Sequence, residues 1–94
     1  MLSVLSAMKF LHYDLHLGRG DAVEVTLDKQ ANVQLLDDVN FSNYKRGERF
    51  SYYGGLAKHS PTRLSPPYPG HWNLVIDLGG SSGTVTASVR TIKG

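Results

Sequence analysis

The segment His71–Leu78, with the sequence HWNLVIDL, decides the fold class. Its alternate positions form one apolar row: Trp72, Leu74, Ile76 and Leu78. A period of two residues is typical of a β-strand with one face buried. We therefore expect this segment to lie in a β-sheet, with Trp72 as a core anchor rather than a ligand platform.

The same period recurs along the chain on both sides of this segment. Further strands are expected over Phe10–Leu17, Ala22–Leu27, the residues around Val33 and Leu35, Arg49–Tyr53, Ser60–Leu64 and Thr84–Ile92. A helical period is interrupted by glycine or proline wherever it begins to form. The pattern predicts an all-β fold, an antiparallel two-sheet β-sandwich of about seven to eight short strands, with long loops.

Turn-forming residues predict how these strands are connected. The first three strands are expected to form a meander with tight turns. Asp37–Gly47 is rich in Asp, Asn and Ser, which favour turns, and is expected to be a long loop held by Val39, Phe41 and Tyr44. Gly54–Gly55 is expected to form a turn or bulge. The glycine-rich Gly79–Gly83 is expected to connect a hairpin.

Length and composition restrict the function. The chain has 94 residues, ten glycines, a formal net charge of +2 and no cysteine. A chain of this length forms one small domain. The lack of cysteine excludes a disulfide framework, a thiolate zinc site, an iron–sulfur cluster and a cysteine nucleophile. It also agrees with a cytoplasmic location, and we expect no cofactor.

The N-terminal residues 1–7 are expected to be an extension that precedes a single domain over residues 8–94. The start MLSVLSAM has no basic region and no cleavage site, so it does not fit a secretory signal peptide. It is also far shorter than the roughly 20 apolar residues that span a bilayer. We therefore expect no association with a membrane.

Basic and aromatic residues are concentrated in the middle of the chain. Five basic residues and one acidic residue lie between Tyr44 and Leu64, whereas the rest contains five basic and seven acidic residues. Interleaved tyrosine and basic side chains suit either base stacking with phosphate neutralisation or a protein interface. Tyr52 belongs to this cluster and alternates with Tyr53, so at least one of the two is expected in the core. The candidate binding residues are Tyr44, Lys45, Arg46, Arg49, Tyr53, Lys58, His59 and Arg63.

Other polar groups were weighed as catalytic or metal sites. His12, Asp14 and His16 share one strand face and could offer ligands to a divalent metal. Positions i and i+2 on a strand are nearly 7 Å apart, however, so a solvated polar face is the better interpretation. The adjacent Asp37 and Asp38 point opposite ways on an extended chain and form no glycosidase pair. We expect no metal site and no catalytic residue.

Several strings together resemble one family. They are MKFLHYDL, GDAVEVTLDKQANVQL, DDVNFSNYKRGERFSYYGGLAKHSP and GHWNLVIDLGG followed by GTVTASVR. They resemble a small bacterial family known as a domain of unknown function, DUF1883, over Met8 to about Ile92. The resemblance implies a β-sandwich, found alone or ahead of a TIR-type signalling domain, with no established activity. This chain is expected to be the stand-alone form.

Two classes of function remain. A non-catalytic recognition module needs only a rigid sandwich, long loops and exposed tyrosine and arginine, and this is the function we expect. The alternative is binding of an anionic ligand or nucleic acid by the basic residues, and a small metal-dependent enzyme is disfavoured because a chain of this size encloses little volume. His71 could join a surface site with His59. Exposed sheet edges also make a homo-oligomer plausible.

Overall fold

The computed structural model describes residues 10–81 and 83–94. The predicted extension over residues 1–7 lies outside this part of the chain. The described residues form seven strands and one helix. In chain order these are β1 (Phe10–Leu17), β2 (Ala22–Leu27), β3 (Ala31–Leu36), α1 (Asp38–Lys45), β4 (Tyr53–Ala57), β5 (Thr62–Leu64), β6 (Gly70–Asp77) and β7 (Ala87–Ile92).

The strands form two antiparallel sheets, which confirms the predicted two-sheet sandwich. The four-stranded sheet has the order β1-β6-β3-β4, and the three-stranded sheet has the order β5-β2-β7. All eight residues of β1 pair with β6, from Phe10 opposite Asp77 to Leu17 opposite Gly70. Because β6 has β1 on one side and β3 on the other, it lies inside the wider sheet and positions most of the polar residues discussed below.

The main core lies between the two sheets, where the alternating apolar rows meet. Its buried members are Leu17, Val23, Val25, Ala31, Val33, Leu35, Trp72, Leu74 and Ile76. Trp72 is only 1% exposed and its indole N–H donates to the carbonyl of Tyr68 at 3.1 Å, as a buried indole requires. The prediction that Trp72 anchors the core is therefore confirmed.

A second, smaller core lies on the outer face of the four-stranded sheet, beneath α1. Phe41 and Tyr44 of the helix pack there on Leu36 and Val75, together with Phe10 and Phe50. The sequence predicted a loop over Asp37–Gly47, and this prediction is wrong because the segment is helical. Asp37 caps the helix, since its side chain accepts from the backbone N–H of Asn40 at 2.8 Å.

The predicted connections between strands are also wrong in part. The first three strands form no meander: β1 and β3 both pair with β6, whereas β2 lies in the other sheet. Gly79–Gly83 does not connect a hairpin, because β6 and β7 belong to different sheets. Instead of forming a strand over Arg49–Tyr53, the chain begins β4 at Tyr53 and continues it through Gly54 and Gly55, both of which have positive φ. Every connection between consecutive strands therefore passes from one sheet to the other, except that from β3 to β4, which runs through α1 on the outer face of the four-stranded sheet.

Candidate functional site

The structure separates the eight predicted binding residues into four places. One group follows the C-terminal end of α1 and leads into β4, a second lies beyond the far end of β4, and one residue lies on the three-stranded sheet. Tyr44 alone is in the core.

Tyr44 serves packing rather than ligand contact. Its ring lies in the smaller core, and its hydroxyl donates to Asp77 Oδ2 at 2.6 Å. Burial, followed by the neighbouring Asp77 carboxylate, raises the pKa of the Tyr44 phenol far above its usual value. The hydroxyl therefore stays protonated and holds α1 on the sheet.

The residues from the end of α1 to the start of β4 are called the α1–β4 surface: Lys45, Arg46, Arg49, Tyr52 and Tyr53. They lie on both sides of the β4 edge, because Tyr53 pairs with Leu35 of the main core, whereas Tyr52 contacts Phe50 of the smaller core on the outer face. The Lys45 ammonium lies 4.4 Å from the centroid of the Phe41 ring, a cation–π contact. Arg46 donates to Asn43 at 2.8 Å and to Glu48 at 3.0 Å.

The two tyrosines of this surface are half-exposed, Tyr52 at 47% and Tyr53 at 49%. Tyr52 rests on the ring of Phe50, with centroids 5.7 Å apart, and Phe50 in turn meets Tyr44 edge-on at 5.1 Å. Tyr53 meets the buried Trp72 edge-on at 5.9 Å. The prediction that one of these two tyrosines is a core residue is wrong, because each rests on the core with one side open to solvent.

The remaining predicted residues lie elsewhere. Lys58 and His59 follow β4 at its opposite end, about 13 Å along a strand of this length. Arg63 lies on β5, in the other sheet, where its Nε donates to Glu24 at 2.9 Å. Arg90 of β7 donates to the same carboxylate at 2.7 Å, and the bonds from Arg90 and Arg63 lower the pKa of Glu24.

A cluster of histidines and carboxylates lies on the outer face of the four-stranded sheet, beside the N-terminal end of α1. At its centre, the Nε2 atom of His71 lies 2.6 Å from Asp14 Oδ1, and its Nδ1 atom lies 2.7 Å from Asp38 Oδ1. A carboxylate can only accept in such contacts, so both ring nitrogens donate and His71 is an imidazolium. It thereby joins β1, β6 and α1.

Further hydrogen bonds extend this cluster. Asn73 donates to Asp38 Oδ1 at 2.8 Å and accepts from His12 Nε2 at 2.9 Å. The ring of His12 stacks on Phe41 at 4.1 Å, and the ring of His16 lies 5.4 Å from that of His71. Because His12 and Asp14 bond to different partners, they do not converge. Within residues 10–81 and 83–94, no group of three or more such side chains is arranged to hold a metal ion.

The sequence did not predict this cluster. It placed His12, Asp14 and His16 on one strand face, and their exposure in the structure agrees with that alternation. The suggested pairing of His71 with His59 is wrong, because His71 contacts carboxylates of β1 and α1 instead. The available signal was the polar second face of this strand, which carries His71, Asn73 and Asp77, but Asp14 and Asp38, the partners of His71, lie far away in the sequence.

We predict that His71 makes the stability of the protein pH-dependent. The bonds to Asp14 and then to Asp38 raise the pKa of His71, and those from Asn73 and His71 lower the pKa of Asp38. A raised histidine pKa stabilises the fold below the unfolded value of about 6.5, and this contribution disappears as the pH rises through the folded pKa. The lowered aspartate pKa stabilises the fold above about pH 4, and this contribution is lost in acid.

The measurement is urea unfolding across pH for the wild type and His71→Gln. The difference in unfolding free energy between the two is expected to be largest between about pH 4 and about pH 6.5, and to shrink as the pH rises through the raised His71 pKa. A difference that stays constant up to about pH 9 would show that the His71 charge contributes nothing.

Two open clefts are lined by residues that belong neither to the α1–β4 surface nor to the cluster of histidines and carboxylates. One, of ≈ 260 Å³, lies between Gly18–Gly20 and Pro66–Pro69. The other, of ≈ 290 Å³, is lined by residues that include Lys29, Asn32 and Leu56. Neither of these described linings contains a histidine or a carboxylate.

Comparison with known proteins gives one match. Residues 8–94 match the family described as Domain of unknown function (DUF1883). No curated protein and no solved structure matches the chain. In the described part of the chain, no helix has the length and apolar character needed to cross a membrane.

Proposed function

The chain belongs to the DUF1883 family, a domain of unknown function, and we propose that it is a non-catalytic recognition module. In this proposal it binds a protein partner through the α1–β4 surface. The proposal rests on one observation, the pair of half-exposed tyrosines that are each held from behind by a core aromatic ring.

Tyrosines held in this way suit a protein interface. Tyr52 and Tyr53 offer large contact area, and the rings of Phe50 and Trp72 behind them limit their rotation. Little side-chain entropy is then lost on binding, which is the reason that rigid aromatic residues often dominate the energy of an interface. Lys45 and Arg49, which are exposed in the same segment of the chain, supply polar groups of the kind found at the rim of such interfaces.

The distribution of charge favours a protein over a nucleic acid. Arg46 is paired with Glu48, and Arg63 shares the carboxylate of Glu24 with Arg90. Lys58 lies at the other end of β4, away from Arg49. A nucleic-acid site needs several uncompensated cations along one track, and the pairing and spacing of these cations leave few on any one face.

The absence of catalysis is part of the same proposal. The two clefts described above are smaller than the 300–1,000 Å³ or so of a typical ligand site and have no acid–base group in their described linings. The most perturbed histidine, His71, lies on an outer sheet face rather than in a pocket, and both its ring nitrogens are already bonded.

The test compares two double variants in affinity capture from cells of the source organism. Tyr52→Ser with Arg49→Ser alters the α1–β4 surface, whereas Leu56→Ser with Lys29→Ser removes one exposed apolar side chain and one cation at the cleft that these two residues line. We expect the first variant to reduce the captured partner by about tenfold or more, because central tyrosines and arginines dominate interfaces. The second should capture as much as the wild type.

Salt dependence distinguishes the ligand classes. Protein capture through tyrosines should persist at high salt, whereas phosphate contacts would weaken steeply. Equal capture by both variants would contradict the proposed surface. Retention of nucleic acid that is lost as salt rises would favour the basic alternative instead.

A further inference from the structure

The strand β1 is an unusually complete sheet edge. It has eight residues, Phe10–Leu17, and all of them pair with β6 on one side. Within the described residues, no strand pairs with its other side. Along a β-strand, the backbone N–H and C=O groups of successive residues point alternately to its two sides. Half of these groups in β1 therefore point away from β6 and can pair with a further strand.

This edge lacks most of the features by which proteins usually prevent pairing. Protective features include charged side chains, above all lysine, as well as proline, bulges and very short strands. β1 contains no lysine, arginine, proline or glycine, and its one carboxylate, Asp14, already contacts His71. Among the other described edges, β4 contains two positive-φ glycines, β5 has three residues, and β7 presents Arg90 bonded to Glu24.

The inward face of β1 is also incompletely covered. Leu11, Tyr13 and Leu15 point towards the core but are only half-buried, whereas Trp72 and Leu74 on the neighbouring β6 are almost fully buried. The four-stranded sheet faces a sheet of three strands, and at the opposite margin β5 lies against β4. The wider sheet therefore extends past its cover at β1 and leaves an apolar margin.

We propose that β1 pairs antiparallel with β1 of a second copy of this chain, about a two-fold axis at Tyr13. In this register Leu11 lies opposite Leu15 of the second copy, and His12 lies opposite Asp14 of the second copy. Two-fold symmetry forms each of these pairs twice. On the apolar face, leucine thus lies opposite leucine of the second copy, and on the polar face, histidine lies opposite aspartate.

The charge pattern selects this register among those that keep both faces aligned. Centring the axis on Asp14 would place two aspartates opposite each other, which is unfavourable. Centring the axis nearer to either end of β1 would leave fewer residues paired between the two copies. In the proposed register, Nδ1 of His12 and Oδ2 of Asp14 are available, because the existing bonds use Nε2 of His12 and Oδ1 of Asp14.

The dimer leaves the β4 edge, with Tyr52 and Tyr53, free. β1 and β4 are the two opposite edges of the four-stranded sheet, so pairing through β1 gives one continuous sheet of eight strands with a β4 edge at each end. The inference is independent of the proposed function, but if both hold, the dimer is bivalent.

The first experiment measures association by sedimentation equilibrium on the full chain. We expect a monomer–dimer equilibrium for the wild type. Tyr13→Lys, which places a charge on the inward side of the edge, should weaken dimerisation by about tenfold or more. Val89→Lys makes the same change at a half-buried inward position on β7 and should leave dimerisation unchanged. A monomer at all concentrations, or a dimer that only Val89→Lys weakens, would overturn the proposal.

The second experiment tests the register by disulfide trapping, which is simple because the chain has no native cysteine. Residues opposite each other in an antiparallel pair have Cα atoms about 4.5–5.5 Å apart, within disulfide range. Tyr13→Cys should therefore form a covalent dimer on oxidation, whereas Leu11→Cys alone should not, because it faces Leu15 of the second copy. Combining Leu11→Cys with Leu15→Cys should restore the crosslink.

A variant on the outer face covers the case in which changes at Tyr13 prevent folding. His12→Cys combined with Asp14→Cys places the cysteines on the exposed side, where they would again face each other across the axis. Failure of both this variant and Tyr13→Cys to crosslink, or equal crosslinking by Leu11→Cys alone, would exclude the register.

Discussion

Replacing Asp77 by alanine is expected to lower the free energy of unfolding by about 3–5 kcal/mol, because three hydrogen bonds to one buried carboxylate are lost. Asp77 is only 3% exposed. Its Oδ1 accepts from the Asn32 amide and from the backbone N–H of Gly79, both at 2.9 Å, and its Oδ2 accepts from the Tyr44 hydroxyl at 2.6 Å. This one carboxylate thus joins β3, β6, α1 and the chain after β6. Chemical denaturation in urea measures the loss.

Two milder variants separate the bonds of Asp77 from its volume. Asp77→Asn keeps the shape and most of the acceptor capacity, and Tyr44→Phe removes one donor, so each should cost about 1–2 kcal/mol. Asp77→Ala combined with Tyr44→Phe should cost less than the sum of the two single changes, because both changes remove the same hydrogen bond. Strict additivity, or a loss below about 1 kcal/mol for Asp77→Ala, would contradict this role.

Asp77→Ala should also disturb the α1–β4 surface. Tyr44 holds Phe50, and Phe50 lies behind Tyr52. When Tyr44 loses its bond to Asp77, the helix is held on the sheet by Phe41 and by the His71 contacts at its other end. Partner capture should therefore fall in Asp77→Ala even at temperatures where the protein is still folded.

The strands were predictable because burial of one face leaves a two-residue period in the sequence, as in Trp72 to Leu78. The pairing of those strands was not predictable in the same way. Alternation reports which side of a strand is buried, and it is silent about which neighbour supplies the hydrogen bonds. Thus β1 and β2, adjacent in sequence, entered different sheets, and β1 paired with a strand near the other end of the chain.

The helix was missed because its apolar signal is too short. In α1 only Phe41 and Tyr44 are buried, three positions apart, and Val39 is 71% exposed rather than holding the segment as predicted. Asn and Ser within the helix favour turns intrinsically, and tertiary packing on Leu36 and Val75 overrides that preference. The available signal was Asp37, because aspartate is among the residues preferred at the N-cap of a helix.

The candidate site illustrates the limit of counting charges along the chain. Arg63 increased the positive charge of the middle segment, yet Glu24, 39 positions away, compensates it in space. His71 similarly meets Asp14 and Asp38, 57 and 33 positions away. Such pairs depend on strand order, which is the part of the fold that the sequence pattern did not determine.

Replacing Gly54 by alanine is expected to destabilise the protein by about 3 kcal/mol or more, through backbone strain and a clash together. Gly54 has φ +117°, a conformation that residues with a Cβ rarely adopt. A Cβ there would collide with the carbonyl oxygen of Val33 on the neighbouring strand, and would lie 3.2 Å from Leu64 Cδ1. The clashing oxygen belongs to backbone within the sheet, so it cannot move aside without breaking the pairing of β3 with β4.

The adjacent Gly55→Ala provides the matched control, because it shares the positive φ but not the contact. Gly55 has φ +152°, and a Cβ there would meet nothing within 4 Å. Its replacement should therefore cost only the conformational strain, about 1–2 kcal/mol. Thermal unfolding of both variants, followed by the fluorescence of Trp72 beside Tyr53, measures the difference. Equal losses would mean that strain alone explains the glycines, whereas a larger loss at Gly54 shows that a glycine is required for β4 to approach β3 and so to hold Tyr53 over the core.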